Sequence, residues 1–563
     1  MKTKTLFLLL GMLFSLSAFS QTFEWAKQTG GTGSDVGKKI TTDASGNIYT
    51  IGYFQGTVDF DPNAGTSYLT STGGKDIFVQ KLDASGNFIW AKQIGGKGDD
   101  NGGSIKIDTF GNIYLAGAFS DTADFDPGTG LSNLISAGGY DIFILKLNAT
   151  GNFVWATRFG GEHSENITAI SLDDFGNVYA TGNFFHTVDF DPGVGVFNLS
   201  AGFLDICNAF VLKLDRHAHF VWAKQIEDSS PSVSSGMIVS TFGDLYITGN
   251  FYGVADFNPG YATVNITSNG AYDVFILNLD SSGNYKWVKK FGSDDYDYGG
   301  EISTDVFFNI FITGTFSDTL DFDPGTGISN LIPYGFNDMF ILKLDAAGNF
   351  IWAKQIGNAG YNYSGPIFTD VSGNLYATGS FTDTLDFDPG AGVENLISAG
   401  NNDIYLLKLD TAGDFLWVKQ IGDTLDEVAY SGMVDATGNI YTTGSFQGTV
   451  DFDPGAGIYN LVSAGSNDAF ILKLNQPVGI SEHSSLNEVN IFPNPSTGDF
   501  TIDLGNAYQN IDVTISDISG RIIFSKNFDN CSKLPVHLNV TQGFYVVSVK
   551  ADSDSFVRKI IKN

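Results

Sequence analysis

Along residues 103–159, four short apolar stretches alternate with glycine-bearing turns: "GSIKID" (103–108), "NIYLAGAF" (112–119), "DIFILKL" (141–147) and "FVWATRF" (153–159). Their length and their β-branched and aromatic content predict strands, here called A to D. "IFILKL" is apolar on both faces apart from its lysine, as expected of a strand buried between neighbouring sheets. The A–B join "DTFGN" (108–112) and the C–D join "NATGN" (148–152) share one grammar. Asp or Asn opens the turn, and Gly takes the positive-φ position that a bulged hairpin requires.

This quartet recurs. Trp25, Trp90, Trp155, Trp222, Trp287, Trp352 and Trp417 are spaced by 65, 65, 67, 65, 65 and 65 residues. Seven "DFDP"-type motifs keep the same step, from Asp59, Asp124, Asp189, Asp256, Asp321, Asp386 and Asp451. The array opens with a lone D strand, "FEWAKQTG" (23–30), and closes with a lone C strand, "DAFILKL" (468–474). In an open solenoid these halves would be two unpaired edges, an aggregation liability. Pairing 23–30 with 468–474 completes a seventh sheet. The expected fold is therefore all-β: a seven-bladed β-propeller over 21–475, closed by its terminal strands.

In such a ring the A–B and C–D turns share one face, and the longer B–C and D–A joins share the other. The D–A joins vary most: "GGKGDDNGG" (95–103), "GSDDYDYGG" (292–300), "GNAGYNYSG" (357–365), "GDTLDEVAYSG" (422–432). Variation confined to one face of a regular scaffold marks the expected binding face. Its carboxylates and tyrosines (Tyr296, Tyr298, Tyr361, Tyr363, Tyr430) suit sugars, cations or a basic protein, and the bland alternative is solvated acidic loops. In the B–C join, "TADF" and "NLIS" read as a hairpin with "DPGTG" (126–130) at its tip. Calcium is the ligand to weigh there, through Asp59, Asp61 and their counterparts, but two carboxylates per tip are few and a structural turn is the expectation. Near the fourth tryptophan the pattern drifts: the turn is "DRHAH" (215–219), two residues are inserted near Cys207, and "DFNP" stands at 256–259. His217 and His219 with Cys207 or Asp205 lack metal-ligand spacing, so a drifted turn is expected.

Composition narrows the function. A net charge of −32 over 563 residues repels phosphate backbones and argues against nucleic acid. Cys207 and Cys531 fall in separate predicted domains and imply no disulfide framework. Met1–Ser20 has Lys2 and Lys4, a short apolar run, and Ala18 and Ser20 as small residues, the pattern of a secretory signal peptide. No later stretch is long and apolar enough to suggest a transmembrane segment. The six histidines do not repeat, and neither a Gly-x-Ser-x-Gly elbow nor a His-Glu-x-x-His helix occurs, so no catalytic, cofactor-binding or metal residue is assigned. The expectation is a non-catalytic binding or scaffold protein. Two alternatives stand: a polysaccharide-active enzyme (lyase or hydrolase) at the ring centre, and a purely structural surface or matrix protein. A clustered basic residue and a deep central pocket would favour the enzyme.

The runs "DIFILKLNATGNFVW" (141–155) and "GNIYLAGAF" (111–119) resemble the bacterial β-propeller repeat family known as SBBP, over about 455 residues. That resemblance implies a scaffold and no particular ligand. After a polar linker (476–486), residues 487–563 carry seven Lys/Arg against eight Asp/Glu and alternate as several strands, predicting a small Ig-like β-sandwich. "NIFPNPSTGDF" (490–500), "VTISDISGRII" (513–523), "GFYVVSV" (543–549) and "RKIIKN" (558–563) resemble the type A C-terminal sorting domain of the type IX secretion system. The resemblance implies handling by that machinery, export across the outer membrane of a Bacteroidetes-type bacterium, and a cargo that is then anchored or released.

Overall fold

The computed structural model describes residues 21–202, 206–228, 231–240, 243–360, 362–475, 490–493, 496–517, 522–540, 543–551 and 554–562. The signal peptide expected at 1–20 and the linker expected at 476–486 lie outside the described residues. Every regular element described is a strand. No helix is long and apolar enough to cross a membrane.

The repeat unit folds as its hydrophobic pattern requires. In the second unit Asp100–Ile107, Ile113–Phe119, Asp141–Leu147 and Phe153–Phe159 form one antiparallel sheet in the order A, B, C, D. Among the described residues, seven such four-stranded sets occur, the first extended by the small hairpin that follows it. The set that begins with Val428–Val434 takes its D strand from the other end of the chain. Thr22–Thr29 pairs antiparallel with Asp468–Asn475, from Thr22 opposite Asn475 to Thr29 opposite Ala469. Consecutive sets lie side by side through their A strands, and Val36–Thr42 lies against both Asp100–Ile107 and Val428–Val434.

The turn grammar has a concrete structure. Asp43 Oδ1 accepts the N–H groups of Ser45 (2.9 Å) and Asn47 (3.0 Å), while its Oδ2 accepts the Asn47 amide (2.8 Å) and the Tyr49 hydroxyl (3.0 Å). The lysine that interrupts the apolar C strand is satisfied at the same place: the Lys81 ammonium lies 4.8 Å from the Tyr49 ring centroid and 3.8 Å from Asp43. Glycine is needed at Gly151, where φ is +77° and a Cβ would sit 3.1 Å from the Trp90 ring. In the drifted turn, His219 fills the slot held in most other turns by Asn. Its Nδ1 lies 2.9 Å from Asp215 and its N–H bonds the same carboxylate, with Ala218 at φ 66° where most other turns have Gly.

The B–C join is a hairpin, as expected, but its central phenylalanine was not read from the sequence as core. Phe125 of "DFDP" is fully buried, 5.2 Å edge-on from Phe119 and 5.0 Å from Phe143. The same trio recurs, for example at Phe316, Phe322 and Phe340. The motif thus folds its hairpin back onto the top of its own sheet. Phe125→Ala is expected to destabilise the protein by about 3–5 kcal/mol, measured by urea unfolding, because the cavity cannot refill between three packed strands. A loss below about 1 kcal/mol would show that the hairpin is not part of the core.

In the tail, Asp499–Asp517 pairs with Asn490–Phe492, Ile522–His537 and Gly543–Ala551, and Asp554–Lys562 pairs with Gly543–Ala551. The pairing to Ile522–His537 breaks register between Asp503 and Tyr508, so this long strand is irregular midway. Ile502, Val513, Ile515, Leu534, Val547 and Val549 form its core.

Candidate functional site

B–C and D–A joins meet on one face, as their backbone bonds record. Glu165 N–H donates to the Tyr140 carbonyl, Asp297 N–H to Tyr272 and Glu427 N–H to Asn402, each at 2.8 Å. Just below this face the A strands bulge. Pairing of Val36–Thr42 with Ile48–Asp59 slips between Gly37 and Lys39, leaving Lys38 as the extra residue. Equivalent slips leave Gly103, Thr168, Ser235, Gly300 with Glu301, and Tyr430 unpaired in their own sets. A bulge re-aims side chains out of strict alternation. Here it sends both Lys38 and Lys39 into one cleft.

That cleft measures about 690 Å³, and its walls come from several sets: Lys38, Lys39, Tyr53 and Lys75 from the first, Tyr140, Glu165, Glu301 and Tyr430 from others. The Lys38 ammonium stands 3.7 Å from the Tyr430 ring centroid and 5.9 Å from that of Tyr53, and Lys75 stands 4.3 Å from Tyr53. Burial, and next the charge of Lys75, lower the Lys38 pKa to about 8. Lys39 forms an ion pair with Glu301. Burial raises Glu165 to about 7, although the Gly161 N–H bonds its carboxylate and opposes the shift. Burial also raises the Tyr430 hydroxyl.

Two further depressions adjoin the cleft through shared walls. One of about 340 Å³ shares Glu301 and Tyr430 with it. The next, about 630 Å³, shares Tyr363 and Ser364 with the second and is floored by Tyr296, Tyr298 and Phe336. Tyr296 and Tyr298 are stacked at 6.1 Å and 17°, with Tyr272 at 5.8 Å from Tyr298. Tyr363 and Phe336 are each 64% exposed. Aromatic faces held open beside polar loops are suited to stacking on flat apolar ligand surfaces.

Of the tyrosines expected on this face, Tyr296, Tyr298 and Tyr363 share the outer depression, Tyr430 joins the cleft, and Tyr361 lies outside the described residues. Sequence reasoning missed Lys38, Lys39, Lys75 and Tyr53. The available signal was positional: Lys38 stands where the other repeats have Gly103, Thr168, Ser235, Gly300, Gly365 and Tyr430.

The hairpin tips have a different role. Asp124 Oδ1 accepts the N–H groups of Asp126 (3.0 Å) and Ser132 (2.8 Å), and Asp126 Oδ1 accepts Gly128 N–H (2.8 Å). Asp59 does the same for Asp61 and Ser67. These carboxylates hold the turn. At the drifted repeat, His219 bonds Asp215 while Cys207 Sγ approaches the Ser232 carbonyl at 3.9 Å in another element, and Asp205 lies outside the described residues.

Beneath the loops, five of the seven boundaries between sets hold two buried acids, one opening an A strand and one opening a C strand, while Ser232 faces the Asn208 position and Asn362 faces Asp338 in the other two. Asp100 accepts Gly96 N–H (2.8 Å), and Asp76 accepts the Gln93 amide (2.7 Å) and Thr72 N–H (3.1 Å). A Cβ on Gly95 would lie 2.7 Å from the Asp76 carboxyl carbon and 2.8 Å from Asp100 Oδ2. Burial lifts Asp100 to about 7, Glu165 and Glu427 to about 7, and Asp35 and Asp297 to about 6. In two repeats the A-strand position is neutral, Ser232 and Asn362, and the Asn362 amide donates to Asp338 at 3.3 Å.

Residues 490–563 match the family described as a secretion system C-terminal sorting domain, and residues 24–53 and 89–118 match the beta-propeller repeat family. The chain thus carries β-propeller repeats and a type IX sorting tail, and it is secreted across the outer membrane to the cell surface or the extracellular space. An uncharacterized WD repeat-containing protein of Acanthamoeba polyphaga mimivirus is 25% identical over 505 residues, covering 76% of this chain and 36% of its own length. Regulatory protein FlaEY of Caulobacter vibrioides is 26% identical over 164 residues, covering 29% of this chain and 16% of its own. The chain therefore spans well under half the length of these curated relatives. Among solved structures, Sqt1 from Chaetomium thermophilum aligns with a TM-score of 0.38 at 10% identity, covering 81% of this chain and 99% of that one. A structural genomics protein of unknown function from Bacteroides thetaiotaomicron aligns with a TM-score of 0.28 at 9% identity, covering 79% and 98%.

Proposed function

We propose that this secreted protein is a non-catalytic glycan-binding module, displayed or released outside the cell, which holds a saccharide chain along the three adjoining depressions. Supporting the reading is one observation above all: exposed tyrosines and a cleft lie on the face whose loops vary, while the opposite turns repeat almost unchanged. We read the seven sets as blades of one closed seven-bladed propeller over 21–475, which the pairing of Thr22–Thr29 with Asp468–Asn475 supports. Residues 487–563 are read as a small Ig-like sandwich delivered to the type IX machinery, 1–20 as the export leader, and 476–486 as the linker.

The test is retention of the chain from Gln21 on immobilised polysaccharides, with chelator present. Replacing Tyr296, Tyr298 and Tyr363 together by Ala is expected to weaken retention by about fivefold to 150-fold, since stacking contacts of this kind are worth about 1–3 kcal/mol in all. Unchanged retention would remove these tyrosines from the site. A second reading draws on the cleft itself: Lys38, near neutrality beside two tyrosines, suits proton abstraction in a polysaccharide lyase. Shortening of a retained polymer, with new unsaturated ends, would replace the binding reading with that one.

A further inference from the structure

The chain spends its few cations carefully. With 30 Lys and Arg against 62 Asp and Glu, three lysines converge on one cleft. The lysines of the C strands are structural, each set against a turn: Lys343 lies 3.8 Å from Asp305, and Lys408 lies 3.7 Å from Asp370. Lys39 is engaged by Glu301. Lys38 and Lys75 differ. Among the described residues neither has a carboxylate at ion-pair distance; each rests on an aromatic face, Lys38 on Tyr430 and Lys75 on Tyr53. Both are departures from the repeat, because the Lys75 position holds Tyr140, Cys207, Tyr272, Asn337, Asn402 and Asn467 elsewhere. Two partly desolvated cations without an anion, held by ring faces at the mouth of a cleft, form a receptor for a negative group.

We propose that the ligand of this groove is an anionic polysaccharide, with a carboxylate or sulfate of one sugar taken between Lys38 and Lys75 while its neighbours run toward Tyr363 and Tyr296. This assignment rests on the glycan-binding reading and specifies its ligand. Charge selectivity follows from the surroundings: with a net charge of −32, the protein as a whole repels polyanions, so retention of one has to come from a local site. The cleft's other acids do not pair with the two lysines: Glu301 is engaged by Lys39, and Glu165 feels the charge of Arg158.

The probe is homogalacturonan in two forms with one backbone, de-esterified and fully methyl-esterified, together with dextran and dextran sulfate. Binding to the full chain from Gln21 is measured by affinity electrophoresis in chelator. The expected result is at least tenfold tighter binding of the charged form in one or both pairs, weakening as salt rises. The carboxylate and sulfate arms show which anion is taken. Lys38→Gln and Lys75→Gln should each cost about fivefold to tenfold on the charged polymer, a larger loss than on any neutral polymer, and leave the thermal midpoint within a degree or two. Equal binding of charged and neutral forms would overturn the assignment and leave the glycan reading standing. Binding to none of the four, or to their neighbours in a wider panel, would overturn the glycan reading itself. A lysine variant that binds the charged polymer as tightly as the parent would also end the assignment.

Discussion

A chain that starts at Gly31 instead of Gln21 is expected to melt at a lower temperature and to self-associate more than the chain from Gln21. The deletion removes Thr22–Thr29, the strand that pairs with Asp468–Asn475. Trp25 and Ala26 are buried there, at 8% and 1% exposure, and Ala26 packs with Phe470 and Leu472. Burying the Trp side chain alone contributes about 4–6 kcal/mol by area, and the lost ladder adds to that. Such a sum is comparable with the whole stability of many domains. The deletion also bares Asp468–Asn475 as an edge with a nearly wholly buried apolar pattern, a template for pairing with another copy. Size-exclusion chromatography and thermal unfolding of the two chains decide the matter. If the shortened chain eluted as the parent does, with a midpoint within about 3 °C of it, the terminal pairing would carry no closure and the array would be open.

Stability should also rise as the medium becomes mildly acidic. Asp35, Asp100, Glu165, Asp297 and Glu427 have folded pKa values of about 6 to 7, raised chiefly by burial. A carboxyl raised in this way binds its proton more tightly folded than unfolded. Its stabilisation is therefore complete below the unfolded value near 4 and is lost as pH climbs to about 7. The turn carboxylates act oppositely: hydrogen bonds hold Asp43, Asp280 and Asp435 below their usual range, so they favour the fold above pH ~4. The optimum then falls near pH 5. Each pKa unit is about 1.4 kcal/mol; allowing for relaxation, each buried acid should cost about 1–2 kcal/mol at pH 8 relative to pH 5. The measurement is the thermal midpoint at the two pH values, for the parent and for Asp100→Asn. The parent should melt several degrees lower at pH 8, and the variant should recover part of that loss by placing there the amide that stands opposite Asp338 as Asn362. A midpoint equal or higher at pH 8 would mean that these acids are solvated.

Some of the site was within reach of the residues alone. The varied D–A joins located the face, and Tyr296, Tyr298, Tyr363 and Tyr430 do line its depressions. The basic pair was not legible, because Lys38 and Lys75 are 37 positions apart, on an A strand and at the mouth of a C strand, and their shared surroundings include Tyr430 from the far end of the chain. The depth of Phe125 was hidden for a similar reason: within "DFDP" it looks like part of a tip, and only the return of the hairpin over Phe119 and Phe143 buries it.

The sequence by itself determined the strands, the turns, the 65-residue step and the partner of the unfinished last repeat. All of these depend on local propensity, period-two burial and the count of edges, which one chain carries in its own order. Which side chains meet at the inner ends of the A strands emerges only on folding. That depends on bulges in six of the seven A–B pairings described and on repeats hundreds of residues apart converging on one cleft, and neither leaves a local signature in the chain.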